Sequence, residues 1–167
     1  MRVIKLSLIA ILICLVFNVC SQTKPSELSQ HFCYSFDEAK IKGISIKELD
    51  SIYQSAFNAA DTSRSVFKEE EVLNKFQEEY VKMLRSFGTF LSENDFKWET
   101  STKGFNRIYF NADGSIDYFL FRINEENFPE ERLNEFQRIL NLFIQEYKLD
   151  ITAPKKFVQC GGINYKP

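Results

Sequence analysis

Cys33 and Cys160 are the side chains whose pairing would have the largest chemical consequence in this sequence. Cys14 and Cys20 fall in a segment with the features of a cleaved leader, so these two remain in the mature chain. Two thiols in an oxidising compartment form a disulfide. The loop it would close holds about 127 residues, a constraint valued at about 4 to 5 kcal/mol in the chain-entropy account. The alternative is two buried thiols at distant sites. No Cys-x-x-Cys pair occurs, so a thioredoxin-like exchange has no basis. His31, the single histidine, lies two residues from Cys33, and a metal shared between them needs ligands from elsewhere. As a catalytic base it would need a locked geometry, whereas the sequence just before it reads as flexible.

The remaining candidates reduce to structural roles. Asn111-Ala112-Asp113-Gly114-Ser115-Ile116-Asp117 superficially resembles part of a calcium loop. An EF-hand needs more oxygen ligands, a bidentate acid at its last position and two flanking helices. Turn chemistry accounts for the same residues. Glu125-Glu126 and Glu130-Glu131 group around a helix start, where their charge complements free N–H groups. A glycosidase would need such acids to flank a cleft. No Gly-x-Ser-x-Gly elbow, phosphate-binding loop or His-Glu-x-x-His occurs, and no metal or cofactor is called for. Lys155-Lys156 is too small a basic group for a nucleic-acid groove.

These residues are carried on a chain that opens like an exported protein. Arg2 and Lys5 precede an apolar run from Leu6 to Phe17, then Val19-Cys20-Ser21 and a polar stretch from Gln22. This is the plan of a secretory signal peptide, residues 1–21, cut after Ser21. The run is shorter than the roughly 18 to 20 residues that cross a bilayer, so no transmembrane span is expected in the mature chain. Cutting before Cys20 would instead leave a lipid-anchored N-terminus; Val19 stands where that processing favours Gly, Ala or Ser. With Arg2 and Lys5 removed, 21 basic residues become 19 against 23 acidic ones, and the formal charge goes from −2 to −4. That balance gives no general attraction to nucleic acid. The 17 phenylalanines supply a core, or else an exposed aromatic platform.

Residues 22–30 read as a flexible N-terminal segment and 31–167 as one domain. Ser45-Ile46-Lys47-Glu48 is a capping box with Ile44 and Leu49 at the staple positions. It predicts a helix over about 46–60. A second helix over about 69–91 carries Leu73, Phe76, Tyr80, Met83, Phe87 and Phe90 at three- and four-residue steps. That stripe suits the domain's own sheet, and also the seam of a homodimer. Alternation of Phe96 and Trp98 with charges predicts a strand over about 95–101. Two strands, 105–110 and 116–123, meet at the Asn111–Gly114 turn. Pro129 starts a third helix. The last strand runs from Phe157 to Tyr165, broken or bulged at Gly161-Gly162. The expected fold is α+β, an antiparallel sheet of about four strands packed against two to three helices.

The stretch Ile108 to Phe121, with its Asn-Ala-Asp-Gly turn, followed by a helix and a short final strand, resembles the C-terminal domain of TonB-type energy transducers. The resemblance covers about the final 65 residues. It implies a periplasmic domain that binds receptor segments by strand pairing. The chain departs from that family in having no spanning anchor and no Pro-rich spacer, so recognition rather than energy transduction is what carries over. A leader ending Ser-Gln before a small aromatic-rich domain is also similar to exported Bacteroidota proteins of undetermined role. The expected function is a non-catalytic, exported binding or structural accessory of the envelope, its partner an envelope protein or peptide. Its recognition edge is Phe157, Gln159, Ile163 and Tyr165. A carrier of a small apolar ligand is the alternative, and an envelope hydrolase a third.

Overall fold

The computed structural model describes residues 31–124, 126 and 128–167. The leader, residues 22–30 and Cys20 lie outside the described residues. Among the described residues, five strands and four α-helices follow one another as β1 (Phe32–Ser35), α1 (Phe36–Ile41), α2 (Ile46–Ile52), β2 (Gln54–Ser55), α3 (Glu70–Glu93), β3 (Thr102–Phe110), β4 (Ile116–Ile123), α4 (Glu130–Glu146) and β5 (Phe157–Tyr165). They build one sheet in the order β1-β4-β3-β5-β2. The class is α+β, as the patterning predicts, but the sheet is mixed. Its three central strands are antiparallel, while β1 and β2 join the two ends in parallel.

Alternation along β3 and β4 sorts the core. Ile108, Phe110, Phe119 and Phe121 point to the face covered by α3 and α4, where Phe76, Met83, Phe87, Phe136 and Phe143 meet them. Tyr109, Leu120 and Val158 point to the other face, against Ala39, Leu49 and Tyr53 from α1, α2 and the residue after it. Each fully buried aromatic contributes about 2 to 3 kcal/mol relative to exposure. The α3/α4 face, with most of them, is therefore the main source of stability. The heptad-like stripe of α3 packs there: Phe76, Met83 and Phe87 are buried within this chain, and Leu73, Tyr80 and Phe90 are half-buried against the same core.

Several predicted boundaries move. The Ser45 cap forms, the Glu48 N–H donating to Ser45 Oγ at 3.3 Å, but α2 stops at Ile52 instead of continuing to about residue 60. Backbone bonds to β5 take over, with Ala56 N–H donating to the Val158 carbonyl at 2.9 Å. No strand forms over 95–101. Phe96 and Trp98 are both buried, packed on Phe136 of α4 instead of alternating across a sheet. The Asn111–Gly114 turn forms as expected, with Gly114 at φ +89°. β5 is unbroken at Gly161-Gly162, pairing with β3 in one register from Phe157 to Tyr165.

Candidate functional site

The two flanks of the sheet are finished differently. At one flank, the Cys33 carbonyl of β1 is capped by Gln137 Nε2 of α4 at 3.1 Å. That contact blunts an edge that would otherwise invite pairing. At the other flank, β2 covers only Phe157 and Val158 of β5. Because the Val158 carbonyl faces β2, alternation along the strand aims the backbone groups of Cys160, Gly162 and Asn164 the same way. No strand lies beside them among the described residues. Among the described residues the Cys160 carbonyl accepts from its neighbour's side chain, Gln159 Nε2 at 3.0 Å.

This placement separates two roles within the expected recognition edge. Phe157, Gln159, Ile163 and Tyr165 direct their backbone groups to β3, and Phe157 and Tyr165 are buried in the core. The backbone available for pairing belongs to the residues between them, at Cys160, Gly162 and Asn164. The sequence located the strand, and a shift of one residue exchanged its roles.

A groove of about 620 Å³ runs beside this open edge, between α3 and the end of β5. Leu84, Phe87, Trp98, Ile163 and Tyr165 line it, and no residue of β4 or α4 does. Trp98 stacks on Tyr165 with ring centroids 4.4 Å apart and forms part of its lining. Behind it the buried Asn106 amide meets the Tyr165 hydroxyl at 3.4 Å. Burial pushes the Tyr165 phenol above its ordinary range. Gly88 of α3 borders the groove, and a Cβ built there would meet nothing within 4 Å. Glycine costs a helix interior about 0.8 to 1.0 kcal/mol relative to alanine. No close contact requires it, so its effect at this position is to leave the groove wider.

The expected Cys33–Cys160 bridge is absent; both thiols are free. Cys33 sits on β1 and Cys160 on β5, with β4 and β3 between them. Three strand spacings make about 14 Å, twice the roughly 7 Å limit for Cα atoms in a disulfide. The side chains also point to opposite faces. Cys33 is buried, and desolvation followed by the nearby Glu38 raises its thiol well above the ordinary value. Cys160 is exposed. A long sequence separation said nothing about how many strands would stand between the two.

At the opposite end of β5, His31, Asp113, Ser115, Asp117, Lys148 and Lys156 share a polar cleft. Its two lysines are each matched: Lys148 Nζ lies 2.9 Å from Asp113, and Lys156 Nζ 3.0 Å from Asp117, which also accepts from the Tyr53 hydroxyl. Lys148 and Ser115 hold the Asp113 carboxyl down at about 2. His31 Nδ1 pairs with the Ile116 carbonyl, and the Ser115 hydroxyl donates to Asp113 at 2.7 Å. The Ser115 hydroxyl is thus committed to a carboxylate and not to a histidine base. No group of three His, Cys, Asp or Glu suited to a metal exists among the described residues. Likewise, no described helix is long and apolar enough to cross a membrane.

Sequence reasoning missed the groove because its wall and floor come from α3 and from a segment expected to be a strand. Gly88 inside an otherwise regular amphipathic helix was the one local signal. No protein-family model matches the chain, and neither a curated protein nor a solved structure shows significant similarity to it.

Proposed function

We propose that this chain is an exported binding protein of the cell envelope that captures an extended polypeptide segment by strand addition to β5. The observation that carries this reading is the open edge at Cys160, Gly162 and Asn164 running alongside an apolar groove. An added strand gains main-chain hydrogen bonds from the edge, and its alternate side chains enter the groove. About five residues fit, a span of about 17 Å. The basic, apolar and small-residue order of residues 1–21 supports export. The binding mode agrees with what the TonB-type resemblance implies, without the energy transduction.

Hydrogen exchange on the full chain, with and without synthetic five-residue peptides, tests this. Protection is expected at Gly162 and Asn164 on binding. A Gly162→Pro variant removes an N–H that points away from β3, so the sheet stays intact while capture is lost. Binding that leaves exchange at the edge unchanged would sink the strand-addition reading.

The apolar lining of the groove favours a second reading, a carrier of a small apolar ligand. Lipid extraction and mass spectrometry of the purified protein separates the two. A stoichiometric apolar molecule would favour the carrier.

A further inference from the structure

The rim of the groove carries Arg85 on α3, Lys97 beside Trp98, and Lys166 just past β5, with no acidic residue in the lining. All three are exposed, and none is ion-paired among the described residues. The chain as a whole is formally −2, so this rim is opposite in sign to the molecule that bears it. We propose that the segment captured at β5 is acidic, with one apolar side chain seated over Gly88 and carboxylates two residues to either side.

The spacing follows from the geometry of both partners. Residues i and i±2 of a strand share a face, so a groove-directed apolar side chain has its same-face neighbours about 7 Å away along the strand. Arg85 and Gly88 are three apart on a helix and therefore lie on one side of it. A side chain over Gly88 thus leaves its flanking carboxylates within the rim that carries Arg85, Lys97 and Lys166. Exposed charges of this kind set specificity more than raw affinity. Pairing with a second copy of this chain is disfavoured, because it would bring the same three cations against each other.

This inference rests on the strand-addition reading, and its test keeps the two apart. The peptides Glu-Thr-Leu-Thr-Glu, Gln-Thr-Leu-Thr-Gln and Lys-Thr-Leu-Thr-Lys, blocked at both ends, are titrated against the full chain. Trp98, the single tryptophan, reports binding by fluorescence, and hydrogen exchange reports the edge. The Glu peptide is expected to bind about tenfold tighter than the Gln peptide at low salt, the Lys peptide weakest. The preference should shrink between about 0.02 M and about 0.5 M salt. The Arg85→Gln/Lys97→Gln/Lys166→Gln variant, altered only at exposed positions, should bind the Glu and Gln peptides alike. Equal binding of the three peptides by the unaltered chain, with edge protection retained, overturns the acidic preference and leaves strand addition standing. No edge protection with any peptide overturns strand addition and this inference together.

Discussion

The indole of Trp98 lies nearly parallel to the ring of Tyr165, 15° between planes and 4.4 Å between centroids. One partner comes from the segment entering β3 and the other from the end of β5, so the stack joins the groove to the core. Tyr165→Ala removes a buried ring and the phenol facing Asn106, and is expected to cost about 3 to 5 kcal/mol in urea unfolding. Trp98 emission should shift to the red in the native variant. Tyr165→Phe keeps the stack and should cost only about 1 kcal/mol, with emission unchanged.

Alkaline stability should depend on Tyr109. Burial pushes its phenol up to about 12, against the pull of Arg107 in the other direction. In the unfolded chain a tyrosine ionises near pH 10. Below that pH both states keep the proton and the contribution is complete. Above it the unfolded state loses protons first, so stability falls as pH rises from about 10 towards about 12. Thermal melts across this range should show a shallower decline for Tyr109→Phe than for the unaltered chain.

Gly114 closes the β3–β4 turn with φ +89°, and a Cβ there would lie 2.7 Å from the carbonyl oxygens of both Leu149 and Ile151. Those atoms are backbone and cannot swing aside. Gly114→Ala combines a left-handed strain with this clash, and a loss of about 2 to 4 kcal/mol is expected by chemical denaturation. A loss under about 0.5 kcal/mol would contradict the packing described at that turn.

The two thiols should react very differently. Cys160 is exposed on β5, whereas Cys33 is buried and its thiolate disfavoured by desolvation. Treatment of the native chain with an alkylating reagent, followed by peptide mapping, should place the label on Cys160 and leave Cys33 unmodified until denaturant is added. Early labelling of Cys33 would contradict the burial of β1.

Where a residue's neighbours in sequence determined its conformation, the sequence was legible. Ser45 capped its helix, Gly114 took the positive φ, and α3 and α4 followed their three- and four-residue stripes. Where a distant strand decided, it was not. Helix-favouring residues after Ile52 were drawn into pairing with Phe157 and Val158, a contact over about 100 positions that no local pattern signals. Phe96 and Trp98 alternate like strand residues, yet both are buried by the same α4 aromatic, Phe136. The candidate site shares this limit. Its strand could be found from alternation, but which backbone groups face outward depends on the flank that β3 occupies.

β5 is inserted between β3 and β2, although both of those precede it along the chain. Until Phe157–Tyr165 has emerged from the ribosome, β3 is half-paired, β2 has no strand to join, and Phe76 and Phe110 lack the ring of Phe157. The sheet therefore cannot close before β5 has been made, and β2 waits for a partner about 100 positions further along the chain.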